Sequence, residues 1–440
     1  MAAQSPSSNW RKQGNEIYVT ATENFSPVVR KERLNKAINL YYRALTSSGG
    51  DDETASAAKN LSLALWRMAN LHFMMGRVQD AVRLFVESLK NFGKSLTSAE
   101  GCKQQSWKDE LTVSLESCYA DVVHLLESME LRDRIAAMRD VIENMPSDSI
   151  RASCFLNLAR YHFHFGIISL GKGDHKACLF QMCECYFPLN EASRLGGMMN
   201  EIPREVELLE QDVFMHQCTA ESIQARLTGD GLLVHVLRDE ENLNVDMVWE
   251  VIDWYKKSVL QTREVTEVEQ EAISLARIGK VYGKILKMKE KSKEYLMRAV
   301  QLALSMHPRT FNNDEWYKEC TQHLEQYQQE VIEEEESKAK KERDEILKEL
   351  EKEMSLLKVH DNDLDIDFLK FVYKEFPPKN KKHFLGEIPK VLEREERKKM
   401  LQKSVVHYHP DRAKAEDGKK WKALTEEITK RLTRRYECMK

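Results

Sequence analysis

The sequence predicts an all-α protein, and three observations lead to this prediction. Glycine and proline are scarce in the 440 residues, at 17 and 10 respectively, whereas strong helix formers recur throughout. Apolar residues recur at three- and four-residue spacing over most of the chain, and alternating β-branched runs are hard to find. Small residues face large ones across short turns, as in packed helix pairs. We therefore expect an α-solenoid at residues 1–320, a charged helical linker at 321–360 and a C-terminal helical hairpin at 361–440.

Composition excludes several other classes of protein. Nine cysteines, an odd number spread along helical segments, do not form a disulfide framework, and we expect small buried thiols. Cys178, Cys183 and Cys185 cluster, but no second pair completes a zinc site, so we expect neither metal nor cofactor. The N-terminus lacks an apolar signal segment, and no stretch has the roughly 20 apolar residues of a membrane span. A cytoplasmic protein without membrane contact is expected.

Residues 61–93 contain the clearest helix pair. Ala69 and Ala81 are small enough to let two helices approach closely, and Gly76 allows the turn between them. Phe85 and Ser88 follow Ala81 on one face of the second helix. This spacing resembles the tetratricopeptide repeat, a helix–turn–helix unit of about 34 residues.

Other segments match the repeat less well. The matching positions are Trp10, Gly14, Tyr18, Ala37, Tyr41 and Ala44 in the first segment, Ala276, Gly279, Tyr282, Ser292, Leu296, Ala299 and Pro308 in another, and Gly166, Gly173 and Ala177 in a third. Segments 107–146 and 203–260 are amphipathic but match no repeat pattern, and we interpret them as divergent pairs of the same stack. A generic helical bundle is the alternative. The resemblance implies that this part binds an unknown protein client.

Residues 321–360 have a different composition. They lack glycine and proline and place opposite charges four residues apart, as at Glu334–Lys338. Leu347, Leu350, Met354 and Leu357 form an apolar stripe, which a coiled coil would share but which is too short to establish one. A solvated connecting helix is the simpler interpretation.

Three amphipathic stretches fill the C-terminal segment. The first carries Phe368, Leu369, Val372, Tyr373 and Phe376 and ends at Pro377-Pro378, the second spans 393–408, and the third spans 419–436. Between the last two lies the tetrapeptide His409-Pro410-Asp411-Arg412. Pro410 forces His409 out of helical geometry, so the second helix has to end there.

This arrangement resembles the J-domain, an antiparallel helical hairpin with a His-Pro-Asp tripeptide at its tip, and its C-terminal position resembles that in auxilin-like proteins. The resemblance implies a co-chaperone that stimulates ATP hydrolysis by a DnaK-type (heat-shock 70) chaperone and is not itself an enzyme. The chain shows no phosphate-binding loop. The residues implied to bind the chaperone are His409, Pro410, Asp411, Arg412, Lys398, Lys399, Lys403 and His407. Lys399, Lys403 and His407 share one face of the second helix, as a positive stripe would require.

The segment also departs from the family pattern. The usual opening, an aromatic pair followed by Leu-Gly, is not found at the start, and the connection from Pro377 to Val391 is long and lysine-rich. Leu401 replaces a typical aromatic residue, Gln402 replaces a common base, and no fourth helix follows. A degenerate J-like module that only binds protein is therefore one alternative.

Charge suggests a second alternative. Residues 379–440 contain 19 Lys and Arg against 10 Asp and Glu, a net charge of +9, in a chain whose total is −4. A basic tail with Trp421, Tyr408 and Tyr436 could bind RNA or another polyanion. No nucleic-acid-binding fold is visible, so we do not expect nucleic acid as a partner.

Two further candidate sites, a carboxylate clamp and a histidine pair, have weaker support in the sequence. Some tetratricopeptide proteins clamp the carboxylate end of a chaperone, and Arg11 and Asn15 match the first pair of such a clamp, but Arg67 stands where the next Asn belongs. His162 and His164 point to different helix faces, which suits core or surface histidines better than metal ligands.

Overall fold

The computed structural model describes residues 5–197, 201–238, 244–380, 382–389, 392–413 and 417–439. Every regular element within these ranges is a helix, so the predicted all-α class is confirmed. The chain divides into two compact units, Met1–Thr321 and Gln322–Lys440. None of the described helices combines the length and apolar character that crossing a membrane requires.

The N-terminal unit is a series of stacked helices. In chain order they are α1 (Pro6–Tyr18), α2 (Pro27–Thr46), α3 (Asp51–Met74), α4 (Val78–Ala99), α5 (Gln105–Glu127), α6 (Leu131–Asn144), α7 (Asp148–Gly171), α8 (His175–Gly196), α9 (Glu201–Val236), α10 (Val245–Glu264), α11 (Val268–Lys284) and α12 (Lys289–Ser305). Each helix from α2 to α12 packs against its predecessor, and α3, α5, α6, α9 and α11 also contact the helix two before them. This nearest-neighbour packing is that of a helical repeat protein.

Two of these pairs share a contact between a glycine and a tyrosine. A methyl group at Gly14 of α1 would lie 2.5 Å from the Tyr41 ring of α2, and one at Gly229 of α9 would lie 2.6 Å from the Tyr255 ring of α10. Only a hydrogen atom fits at such a distance, so each glycine sets how closely its helices approach. The α9–α10 pair falls in the segment that matched no repeat pattern, and its packing supports the interpretation as a divergent pair.

The hydroxyl groups of these two tyrosines also make equivalent hydrogen bonds in the two helix pairs. Tyr41 donates to Asn15 Oδ1 at 2.8 Å, and Tyr255 donates to Asp230 Oδ1 at 2.7 Å. In both pairs the acceptor directly follows the glycine in the sequence. The buried rings therefore keep a polar partner at their far end, as a buried tyrosine requires.

Three turns of the stack have the same backbone geometry. A residue with positive φ closes each turn: Gly76 at 73°, Gly173 at 78° and Thr266 at 57°. The next N–H donates to the carbonyl oxygen five residues earlier, from Arg77 to His72, from Asp174 to Ser169 and from Glu267 to Thr262, each at 2.9 Å. This is the hydrogen bond of a Schellman motif, which normally uses glycine at the left-handed position. Thr266 is the exception.

The thiols are free, and most are buried, as expected. Cys118, Cys154, Cys178, Cys185, Cys218 and Cys320 are buried, whereas Cys102, Cys183 and Cys438 are exposed. Burial raises the pKa of the Cys178 thiol to about 11. Such thiols pack as small apolar side chains.

Within its described residues, the C-terminal unit contains four helices and two short turns together with most of a longer helix. The longer helix is α13 (Glu315–Glu349), and the others are α14 (Glu351–Val359), α15 (Asp365–Glu375), α16 (Arg394–Tyr408) and α17 (Gly418–Glu437), with 3-10 turns at His360–Asn362 and Pro410–Arg412. Helix α16 packs against both α15 and α17. The core between these helices contains Phe368, Leu369 and Val372 of α15, Leu401 and Tyr408 of α16, and Leu424, Ile428 and Leu432 of α17.

The boundary of the predicted linker differs from the structure. Residues 328–342 are exposed, as expected of a solvated helix. Leu350 and Leu357, however, are buried in the same core as Phe368 and Ile428, with Met354 partly buried beside them. The apolar stripe of residues 347–357 therefore belongs to the C-terminal unit, because it has a hydrophobic partner there that sequence spacing does not reveal.

Candidate functional site

The His-Pro-Asp tripeptide lies at the end of α16, between two helices that pack side by side. His409 has an extended backbone, with φ −58° and ψ 127°, and Pro410 begins a single 3-10 turn. The proline ring disfavours the helical conformation for the residue before it. The chain therefore leaves α16 at the position that the sequence predicted.

Tyr408 fixes the end of α16 from inside the core. It is 1% exposed, and its hydroxyl donates a 2.7 Å hydrogen bond to the carbonyl oxygen of Phe376. Burial raises its pKa, so the phenol remains protonated. The carbonyl oxygen of Tyr408 accepts a 2.7 Å hydrogen bond from the Thr429 hydroxyl of α17. The residue before the tripeptide is thus bound to both α15 and α17.

The two ionisable side chains of the tripeptide face solvent. The side chain of His409 is 47% exposed and that of Asp411 is 85% exposed. The backbone N–H of Asp411 donates to His409 Nδ1 at 3.3 Å. Since a neutral imidazole has one acceptor and one donor nitrogen, this contact leaves Nε2–H of His409 as a free donor beside an exposed carboxylate. The end of α16 therefore presents a hydrogen-bond donor, Nε2–H of His409, next to a charged acceptor, the carboxylate of Asp411. We call this end of the hairpin the tip.

Most of the predicted cations lie on the surface near this tip. Lys399, Lys403 and Arg412 are exposed, and Lys398 is half-buried. None of these four side chains forms an ion pair with a described residue. They can therefore be neutralised by an acidic partner without first breaking an internal contact.

His407 has a different environment from the one predicted. A 2.6 Å hydrogen bond joins its Nδ1 to the Tyr373 hydroxyl, and its ring stacks on His383 with centroids 4.7 Å apart and planes 8° apart. Burial lowers the pKa of His407, and the charges of His383, Arg412 and Lys403 lower it further. It therefore packs as a neutral ring near pH 7 and adds little to a positive stripe.

His383 and Tyr373 are site residues that sequence reasoning missed. His383 lies in the long connection after Pro378, and its Nδ1–H donates to the carbonyl oxygen of His407 at 3.2 Å. Its other ring nitrogen, Nε2, accepts from Asn380 Nδ2 at 3.2 Å. A histidine within a lysine-rich connection was the available signal, but its partner could not be read from the sequence.

A shallow groove runs along α17 from the tip. Its volume is about 400 Å³, and it is lined by His409, Pro410, Glu426, Thr429, Lys430, Thr433, Arg434 and Glu437. The walls carry both signs of charge, and Pro410 contributes an apolar surface at one end. An extended polar segment of a partner could lie in such a groove.

Many cations of the basic tail are already paired within the C-terminal unit. Lys419 contacts Glu342 at 3.2 Å, Lys420 contacts Glu349 at 2.9 Å, Arg431 contacts Asp361 at 3.7 Å and Arg435 contacts Asp365 at 3.2 Å. The acidic partners precede residue 379 and were outside the count that gave +9. The local field of α17 is accordingly weaker than the composition of the tail suggested.

The clamp residues of the N-terminal unit make internal contacts. Asn15 Oδ1 accepts hydrogen bonds from both Tyr41 Oη and Asn60 Nδ2, at 2.8 and 2.9 Å. The Arg67 guanidinium lies 5.2 Å from the centre of the Tyr18 ring. These side chains join neighbouring helices, so the partial match to a carboxylate clamp has a structural explanation.

The histidine pair of α7 is divided between core and surface, as expected. His162 is buried, with its Nδ1 2.7 Å from Gln181 Oε1, and burial lowers its pKa. His164 is exposed. In the described part of the chain, no three His, Cys, Asp or Glu residues are grouped so that they could hold a metal ion.

No family model matches the chain, and no curated protein matches it either. Among solved structures, a protein from the computational design of self-assembling cyclic homooligomers is 12% identical over 67% of this chain and 95% of its own, with a TM-score of 0.16. A circular tandem repeat protein is 14% identical over 98% of this chain and 90% of its own, also at 0.16. A signal-transduction ATPase from Pyrococcus horikoshii with a tetratricopeptide repeat sensor is 11% identical over 76% of this chain and 55% of its own, at 0.18. At these TM-scores the assignment as an all-α helical repeat protein rests on the helix pairs of the chain itself.

Proposed function

We propose that the protein is a J-domain co-chaperone that stimulates ATP hydrolysis by a DnaK-type (heat-shock 70) chaperone and recruits it to a protein bound by the helical repeats. The observation that carries the proposal is the exposed His409–Asp411 pair at the end of α16. Side chains that only stabilised the hairpin would be buried or would contact other helices, whereas these two are exposed and, among the described residues, form polar contacts only with each other, with His409 Nδ1 3.6 Å from Asp411 Oδ2.

The surroundings of the pair favour a protein partner with an acidic surface. Lys399 and Lys403 face solvent on the helix that leads to the tip, and Arg412 follows the tripeptide. Exposed charges of one sign accelerate association with an oppositely charged surface and fix its orientation. Tyr408 and Thr429 hold the tip in place, so little entropy is lost when the partner binds.

In this proposal the N-terminal unit supplies the second binding function. Stacked helix pairs of the tetratricopeptide type offer a long surface to a protein client, and the chain shows no phosphate-binding loop of its own. The client would then be delivered to a chaperone whose ATPase activity the C-terminal unit stimulates. Binding to a polyanion through the basic tail is less favoured, because Lys419, Lys420, Arg431 and Arg435 already have acidic partners.

The test is single-turnover ATP hydrolysis by a cytosolic heat-shock 70 chaperone in the presence of the full-length protein. We expect the intact chain to accelerate hydrolysis at least about tenfold and His409→Gln to abolish this effect. His164→Gln is the matched control, since His164 is an exposed histidine of α7. It should stimulate as well as the intact chain does.

Other outcomes point to the alternatives. If neither the intact chain nor His409→Gln stimulates, the C-terminal unit is a protein-binding module without co-chaperone activity. If the chain binds RNA in a salt-dependent way that His409→Gln does not change, the basic tail has a separate polyanion-binding role.

A further inference from the structure

The connection between α15 and α16 carries an exposed aromatic side chain close to the tip. Phe384 has a large apolar side chain, which is normally buried, yet it is 77% exposed. It directly follows His383, which stacks on His407, and His407 lies two residues before His409. An exposed ring beside a binding site is a typical anchor for a partner.

The connection around this ring is held in place. Lys379 Nζ donates to the carbonyl oxygen of Asp417 at 2.7 Å and lies 5.2 Å from the centre of the Trp421 ring. His383 contacts the carbonyl oxygen of His407, and Ile388 packs against the core of the C-terminal unit. Because the chain is fixed both directly before and shortly after Phe384, the exposed ring is presented at a defined place.

The charges near the ring match those of the tip. Lys382, Lys403 and Arg412 are exposed, and Glu387 is the one acid within residues 382–389. Val406 of α16 adds a second exposed apolar side chain, at 40%. Lys403 and Arg412 lie close enough to His407 for their charges to lower its pKa, so the cations of the tip extend to the histidine pair that directly precedes Phe384. A partner that binds Phe384 therefore needs an apolar pocket with acidic residues near it.

From this continuity we propose that Phe384 is a second anchor for the DnaK-type chaperone, one that contributes affinity while His409 and Asp411 trigger hydrolysis. The inference rests on the function proposed above. Heat-shock 70 chaperone bound at the tripeptide would also cover the connection, and the Phe384 ring would be desolvated. The two contacts then affect different kinetic parameters.

The experiment separates affinity from maximal stimulation. Single-turnover ATP hydrolysis is measured over a range of concentrations of the full-length protein, for the intact chain, Phe384→Ala, Phe384→Leu and His409→Gln. Phe384→Ala should raise the concentration for half-maximal stimulation about tenfold with the maximum unchanged. Phe384→Leu, which keeps most of the apolar surface, should restore most of the affinity, and His409→Gln should abolish the maximum.

Phe180→Ala is the matched control, because Phe180 of α8 is also an exposed phenylalanine, at 59%. It should behave like the intact chain. Circular dichroism and thermal unfolding of each variant should match those of the intact chain, since the ring is exposed. Stimulation by the intact chain with an unchanged half-maximal concentration for Phe384→Ala would overturn the anchor and leave the co-chaperone function standing. Absence of stimulation by the intact chain would overturn both.

Discussion

The hydroxyl of Tyr408 donates a 2.7 Å hydrogen bond to the carbonyl oxygen of Phe376, the last residue before the Pro377-Pro378 pair. The bond joins the end of α16 to the end of α15 inside the core. Tyr408 is 1% exposed, so neither atom can exchange its partner for water. One side chain thus fixes where two helices end relative to each other, and it directly precedes His409.

Tyr408→Phe should destabilise the C-terminal unit by about 1–2 kcal/mol, because a buried carbonyl oxygen loses its strongest donor while the packing of the ring is retained. Hydrogen exchange of the amides in α16 and α17 measures this change. Tyr295→Phe is the control, since the Tyr295 hydroxyl has no hydrogen-bond partner among the described residues. Equal exchange rates in Tyr408→Phe and the intact chain would contradict the assigned role.

Gly229→Ala should destabilise the N-terminal unit by about 1–3 kcal/mol, because its methyl group would lie 2.6 Å from the Tyr255 ring. Gly231 of the same helix has nothing within 4 Å of a built Cβ. Gly231→Ala should therefore stabilise the helix by up to about 1 kcal/mol through propensity alone. Urea denaturation of both variants tests the contrast, and shifts of the same sign would refute the close approach of α9 and α10.

Thr266→Gly should stabilise the α10–α11 turn. A left-handed backbone costs an L-residue roughly 1–2 kcal/mol, and the greater entropy that glycine loses on folding offsets about half of this. The net gain expected is up to about 1 kcal/mol, seen as a higher melting temperature. The reverse change at the equivalent position, Gly173→Thr, should lower the melting temperature. A loss of stability in Thr266→Gly would show that the threonine side chain has a stabilising role that its exposed position does not suggest.

Lowering the pH should destabilise α16, because His407 becomes protonated. An unfolded histidine has a pKa near 6.5, and burial, followed by the charges of His383, Arg412 and Lys403, lowers the pKa of His407 in the folded chain. The unfolded state therefore takes up a proton first. The stabilisation is complete above pH 6.5 and is lost as the pH falls through 6.5 towards the lower folded pKa.

Hydrogen exchange of α16 between pH 7.5 and 5.5, corrected for intrinsic exchange rates, measures this effect. We expect protection to fall with pH in the intact chain and to change less in His407→Gln. An NMR titration of the His407 ring should give a midpoint below 6.5. A midpoint at or above 6.5 would contradict the half-buried, neutral ring that packs between Tyr373 and His383.

Local features of the sequence were sufficient for part of the site. Pro410 favours a helix end at His409, because its ring disfavours helical geometry at the preceding residue. The positions of Lys399 and Lys403 on an exposed face followed from helical spacing and from the apolar stripe that α16 buries. The environment of His407 did not follow, because His383 reaches it from a connection without regular structure.

The sequence determined the all-α class, the four helix pairs that matched the repeat (α1–α2, α3–α4, α7–α8 and α11–α12) and the exposed tripeptide. These depend on periodicity and on prolines and glycines that act within a few residues. Tertiary structure alone decided the Gly229–Tyr255 contact within the α9–α10 pair, the left-handed Thr266, and the burial of Leu350 and Leu357 beside Phe368 and Ile428. In each of these cases the stabilising contact joins residues far apart in the chain or overrides a local preference. A one-dimensional pattern records which side chains can be buried, and only the folded chain specifies the partners against which they pack.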